Sequence, residues 1–263
     1  MSTLFTGISE LRTVSERGTL NDAAIIAQSG TIAWVGPAAE APAADEKVDL
    51  GGRAVLPGWV DSHTHMVFDG DRSAEFEARI SGGSYEAGGI AVTMDATRQA
   101  GTDRLDKLVA DRVAAGRRGG TTTFETKTGY GLNTESEVEA AKVASRHVDD
   151  VTFLGAHLVP PGADAEDYLD EVVGPMLEGV APYVQWIDVF CERGAFNEEQ
   201  SRRVLEAGKK LGLGLRVHGN QLGEGPGVAL AVELGAASVD HVNHLSDEDV
   251  ELLANSDTVA TML

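Results

Sequence analysis

The feature that most constrains this chain is an alternation. Seven short runs rich in β-branched and aromatic residues, at 55–60, 121–125, 151–154, 186–190, 213–217, 238–242 and 258–263, are separated by stretches of helical periodicity at 102–117, 134–146, 198–210, 227–234 and 247–253. Strand and helix in repeated succession imply a parallel sheet with covering helices. Two details favour a closing barrel over an open sheet. No G-x-G-x-x-G fingerprint opens the first helix, and the polar residues of chemical interest sit just after the strand runs, at the end where (β/α)8 barrels keep their active sites. The expected fold class is α/β, with a TIM-like (β/α)8 barrel over 55–263 that is incomplete at about seven strands.

The first 54 residues read differently. Short apolar segments at 23–27 and 31–35 flank Gln28, Ser29 and Gly30, which is a hairpin signal. Residues 37–46, rich in Ala, Pro and acid, form a connecting loop, and extended structure resumes at 48–50 and 54–56. This part is expected to be a partial β-sandwich module, disordered or wrongly packed for want of partner strands.

Composition removes several classes of function. Asp and Glu number 42 against 21 Lys and Arg, a net charge of -21. Nucleic-acid binding and adhesion to an anionic membrane both need clustered cations, so neither partner is expected. Cys191 is the only cysteine, which fits a reducing cytoplasm. Residues 1–16 lack a signal-peptide pattern, and no apolar run approaches the roughly 20 residues of a membrane span.

The strongest local signal is P-G-W-V-D-S-H-T-H at 57–65. Residues two apart on a strand share a face, so His63 and His65 can chelate one metal ion; two loop histidines with no ligand role are the plain alternative. His218 ends the fifth run and His241 lies in the sixth. Each alone reads as an ordinary satisfied histidine, but four at one end of three strands suit Zn or Fe and an activated water. His157, ending the third run, is a fifth. His147 and His244 read as structural or solvated. Glu125 and Lys127 alternate on the second strand and can form a structural ion pair, and Cys191 reads as a small buried residue.

The blocks 56–65, F-D-G-D-R at 68–72, K-T-G-Y-G-L at 127–132, F-L-G-A-H at 153–157, D-V-F-C-E-R-G-A-F at 188–196 and Asp240-His241 resemble the imidazolonepropionase family of metal-dependent amidohydrolases. The resemblance runs in register from about residue 23 to the end. It implies an amidohydrolase barrel, cytoplasmic, that opens the ring of 4-imidazolone-5-propanoate with water to give N-formimidoyl-L-glutamate in histidine degradation, using one Zn or Fe ion. By similarity His63, His65 and His218 are metal ligands, Arg72, Tyr130, His157 and Gln221 bind substrate, and His241 is the catalytic histidine beside the reactive water. It also implies a small anionic substrate and a homodimer.

Chemistry makes sense of these residue types. A guanidinium at Arg72 answers the repulsion a -21 protein exerts on a propionate, although a surface ion pair with Asp69, Asp71 or Glu75 is the alternative on spacing alone. Tyr130 lies between Gly129 and Gly131, which lets backbone approach a ligand or simply makes a tight turn. Gln221 both donates and accepts, as ring recognition requires, and otherwise faces solvent. Asn220 is a candidate to orient its neighbouring ligand. The sequence departs from the family pattern at its end: the eighth strand, with the Asp that completes the family's metal site, does not follow. Three readings stay open, namely an N-terminal part of such an enzyme, an amidohydrolase for another cyclic amide or amidine, and a truncated non-catalytic metal-binding relative.

Overall fold

Seven strands lie side by side in chain order: β5 (Trp59–Asp61), β6 (Thr121–Lys127), β7 (Asp150–Ala156), β8 (Trp186–Cys191), β9 (Gly214–Gly219), β10 (Ser238–His241) and β11 (Val259–Met262). The described ladders from β6 to β11 are all parallel, and the sheet is a curled half-barrel. The computed structural model describes residues 1–71, 73, 77, 80, 81 and 88–263. The chain divides into two compact units, Met1–Trp59 and Val60–Leu263.

In the larger unit the central strands β7 and β8 are buried along almost their whole length, while β11 at the edge is largely exposed. That gradient is what a parallel sheet covered on both faces produces, and it explains why 151–154 and 186–190 read as continuous apolar runs. Helices α1 (Gly88–Ala100), α2 (Thr102–Arg118), α3 (Thr134–Ala144), α4 (Ala165–Glu171), α5 (Leu177–Val180), α6 (Glu198–Lys210), α7 (Gly227–Leu234) and α8 (Asp247–Ala254) link the strands. Helix α2 buries Leu105, Val109 and Val113, one stripe at four-residue spacing. Asn197 opens α6 with a capping box: its side chain accepts from the Gln200 amide while Gln200 reaches back. Asn133 caps α3 by accepting from the Ser136 amide alone, fixing where the K-T-G-Y-G-L loop ends.

The smaller unit is an ordered four-stranded sheet, β3-β2-β1-β4, built from β1 (Ser2–Arg12), β2 (Thr19–Gln28), β3 (Thr31–Pro37) and β4 (Glu46–Val55). This corrects the expectation of disorder. The sequence reading lacked β1, which lies between β2 and β4 and pairs antiparallel with the first and parallel with the second. Ile8 and Leu11 of β1 join Ala23 in a small core of this unit. The β2–β3 hairpin turns where expected, with Ser29 and Gly30 both left-handed, as a two-residue hairpin loop requires. One boundary also moves. Val55 closes β4, so the run expected at 55–60 contributes a barrel strand only from Trp59.

Candidate functional site

The histidines gather at the C-terminal ends of the barrel strands. His63 and His65 follow β5, His157 follows β7, His218 lies in β9 and His241 ends β10. Ring centroids of His63 and His218 are 4.7 Å apart, those of His65 and His218 5.5 Å, and His241 is 5.4 Å from His63 and 5.2 Å from His218. His157 stacks on His65 at 5.6 Å. Tyr130, in the loop after β6, lies 5.9 Å from His65 and 5.5 Å from His157.

His63, His65 and His218 each offer a ring nitrogen within 4.8 Å of the others. The Nε2 atoms of His65 and His218 are 3.4 Å apart. Two nitrogens each about 2.0–2.1 Å from a tetrahedral zinc would be separated by roughly 3.3 Å, so this pair fits a shared ion. His65 Nδ1 is buried with no hydrogen-bond partner among the described residues. An all-imidazole set is a chemically sound zinc or iron donor set.

Two carboxylates stand behind these rings. Asp240 Oδ2 lies 2.6 Å from His63 Nδ1 and Asp188 Oδ2 lies 2.9 Å from His218 Nδ1. An ionised carboxylate can only accept, so Asp240 holds the proton on His63 Nδ1 and turns the lone pair of its Nε2 outward, as metal-ligating histidines require, while Asp188 stands beside His218 as a charge partner. Both carboxylates are served by one cation: Lys127 Nζ is 3.3 Å from Asp188, 3.5 Å from Asp240 and 3.0 Å from Glu125. Lys127 is fully buried. The expected Glu125–Lys127 ion pair is therefore present, but as part of a buried four-residue network directly behind the histidines. Burial works to raise the Asp188 and Asp240 pKa values, yet His218, His63 and Lys127 outweigh it and hold both carboxyls below their usual range. Burial opposes charge on Lys127 too, and the three carboxylates overcome it, raising its pKa.

The histidines respond in the opposite sense. Burial lowers the pKa of His63, with the Asp240 hydrogen bond in partial opposition, and burial with the His218 and His157 rings pushes His65 well down. His241 is lowered to about 3, by burial and then by His218 and His63. It is a neutral imidazole at working pH. Its backbone is unusual: His241 has φ 80°, Val242 φ 45° and Asn220 φ 54°, all left-handed without being glycine. Such strain gathered at the mouths of β9 and β10 is the kind that surrounding structure sustains at functional sites.

Not every candidate falls into this cluster. Arg72 lies outside the described residues. Gln221 is half-buried just beyond β9, where its amide donates to Glu192, and no described contact ties its side chain to the histidines. Asn220 Nδ2 donates to the His244 carbonyl at 3.0 Å, so it ties the ends of β9 and β10 together instead of orienting His218. His244 is exposed, His147 pairs with Asp106 at 3.0 Å, and Cys191 is buried, as expected. Sequence reasoning anticipated the Glu125–Lys127 pair but missed Asp188 and Asp240 as the carboxylates behind the histidines. The available signal was a charged residue between apolar neighbours inside strand runs, Ile187-Asp188-Val189 and Val239-Asp240.

Among the described residues no helix is long and apolar enough to cross a membrane. No protein-family model matches the chain. Curated relatives do. The chain is 64% identical over 261 residues to the imidazolonepropionase of Micrococcus luteus, covering 97% of this chain and 65% of that protein. It is 62% identical to that of Saccharopolyspora erythraea, covering all of this chain and 68% of the relative. The chain thus spans about two thirds of the length of the relatives it matches. Solved structures with the same fold are amidohydrolase TIM-barrel proteins. One, an atrazine chlorohydrolase of Arthrobacter aurescens complexed with zinc, superposes with a TM-score of 0.64 at 14% identity, over 99% of this chain and 65% of its own. On identity and coverage together, this chain belongs to the imidazolonepropionase family.

Proposed function

We propose that the protein to which this chain belongs hydrolyses the cyclic amide C–N bond of 4-imidazolone-5-propanoate, giving N-formimidoyl-L-glutamate in histidine degradation. The observation that carries this reading is the convergence of His63, His65 and His218 with His241, Tyr130 and His157 at one end of the barrel strands. His63, His65 and His218 would hold one zinc or iron ion. When bound, such an ion lowers the pKa of water to about 7 and polarises a carbonyl.

The chain's own residues would do the rest. His241, whose ring stands 5.4 Å from His63 and 5.2 Å from His218, is placed to accept the proton that the attacking water loses and to pass it to the departing ring nitrogen. Tyr130 and His157 form a wall beside His65, against which a planar ring packs. Gln221 is assigned to ring recognition. Arg72 is assigned to the propionate, where a bidentate guanidinium overcomes the general repulsion of a -21 protein. Asp188 and Asp240 orient His218 and His63, and Lys127 holds both carboxylates.

The test is direct. The purified protein, stripped with chelator and reloaded with Zn or Fe, is expected to bind one ion per chain and to consume 4-imidazolone-5-propanoate, followed by loss of its ultraviolet absorption. His218→Ala should lose both properties. Stoichiometric metal binding with no turnover in the wild-type protein would overturn the enzymatic reading in favour of a metal-binding relative.

A further inference from the structure

Tyr130 stands between two glycines, the residues that hold a backbone least firmly. Gly129 has φ +109°, and a Cβ there would fall 2.6 Å from the Leu154 carbonyl oxygen, so the position is closed to other residues. A loop of this composition needs external restraint to present a side chain in one place. That restraint is present, and it comes from both sides.

On one side Glu137, fully buried in the first turn of α3, receives three main-chain amides. Gly129 N–H donates to Oε2 at 3.0 Å, and Gly131 and Leu132 N–H donate to Oε1 at 2.7 and 2.9 Å. The Thr128 hydroxyl is a fourth donor. Burial works to raise the Glu137 pKa, but every group pointing at this carboxyl is a donor, so the ionised, acceptor-only form is the one that satisfies them. On the other side Arg98 donates from Nε to the Gly131 carbonyl at 2.6 Å and from Nη2 to the Leu132 carbonyl at 2.9 Å. The loop is gripped by its amides and by its carbonyls at once.

The same loop sets a second residue. His157 Nδ1 is 2.8 Å from the Gly129 carbonyl oxygen. A carbonyl can only accept, so Nδ1 carries the proton, and Nε2 is the nitrogen whose protonation is left to the site.

We infer that Glu137 is a positioning residue for substrate recognition: its carboxylate fixes the 128–132 loop and thereby both the place of the Tyr130 ring and the tautomer of His157. This rests on the proposed role of Tyr130 and His157 in binding the ring. Glu137 touches neither substrate nor metal ligands.

Glu137→Gln discriminates well. A glutamine keeps the size, and its one oxygen can still accept from Gly131 and Leu132. Its amide nitrogen then faces the Gly129 N–H, donor against donor, which releases the residue whose carbonyl holds His157. In the Glu137→Gln protein we expect an unchanged far-ultraviolet spectrum, unchanged zinc stoichiometry and affinity, and loss or broadening of the hydrogen-bonded His157 Nδ1–H proton resonance. Affinity for 3-(imidazol-4-yl)propanoate, an unreactive analogue, should fall about tenfold, roughly the worth of one hydrogen bond. In turnover, KM should rise more than kcat falls. Should Glu137→Gln fail to fold, Arg98→Met loosens the loop from the exposed side and should shift the same resonance and affinity by less. The inference is overturned if the folded variant retains both the His157 signal and the wild-type affinity. A wild-type protein that binds no analogue would sink the substrate reading alone, because the imidazole resonance still reports whether Glu137 sets the tautomer.

Discussion

Lys127 shows how much a single buried side chain can be asked to do. Its ammonium is the only cation described within 4.0 Å of Asp188 and Asp240 that is neither a histidine nor an arginine, and Glu125 completes the set. Replacing it by Met keeps most of the aliphatic volume and removes the charge, leaving three buried carboxylates, with Arg216 at 3.4 Å the remaining cation beside Glu125. Breaking a buried ion network in this way typically costs about 3–5 kcal/mol. Urea unfolding of Lys127→Met should show a loss of that order, and a loss under about 1 kcal/mol would mean the carboxylates find other partners. The pH dependence belongs to the same residues. His241 has a folded pKa of about 3 against about 6.5 when unfolded, and His63 and His65 are lowered too. The unfolded chain therefore binds more protons below about pH 6.5, so the contribution of these rings is complete above that pH and is lost as the solution is acidified. Asp188 and Asp240, whose pKa values are lowered, keep their contribution until below about pH 4. Metal-free protein should accordingly lose urea stability between pH 7.5 and 5, before Asp188 or Asp240 titrates. A flat profile over that range would contradict the burial of neutral imidazoles.

At the scale of the element, packing and propensity can be set against each other. Gly208 lies in α6, where it faces Ile187 of β8, and a Cβ built there would come within 2.3 Å of Ile187 Cγ2. Alanine is the better helix former by about 1 kcal/mol, whereas forcing a methyl into a filled core costs about 1–3 kcal/mol. Since Ile187 and Gly208 are both buried, the clash should win. Gly208→Ala is expected to lower the melting temperature, and a rise would show that the helix can shift off the sheet. The elements themselves were largely legible: α6 and α7 fall on their expected bounds, and six of the seven barrel strands agree with their runs to within two residues at either end, because burial on both faces concentrates β-branched residues there. β1 was not legible, for a local reason. Its pairing shifts register between Phe5 and Ile8 around a left-handed Gly7, and that shift interrupts the period-two alternation a strand is recognised by. The histidines were legible because each carries its chemistry in its own residue type. Their supports were not, because Asp188 meets His218 across the β8–β9 register and Asp240 meets His63 across 177 residues of chain. A strand sequence states what a residue is, and only the sheet states what it faces.

At the scale of the molecule two opposing tendencies meet. The seven-stranded sheet has β5 and β11 as its edges, with Val60 66%, Val259 61% and Met262 82% exposed. Edge strands with apolar side chains and unpaired backbone groups are templates for association. Against this stands a net charge of -21, which makes two copies repel one another. The balance should turn on salt. At about 0.01 M ionic strength the Debye length is near 30 Å, so repulsion reaches across a whole domain; at about 0.15 M it is near 8 Å, and the edges can meet before the charges are felt. Light scattering coupled to size exclusion should therefore find this 263-residue chain mainly monomeric at low salt and increasingly associated as salt rises. Val259→Lys places a charge on the β11 edge and should suppress the salt-induced species, as a lysine does on natural edge strands. Association that weakened with added salt would instead identify complementary charged patches as the contact. Association indifferent to Val259→Lys would move the contact away from the β11 edge.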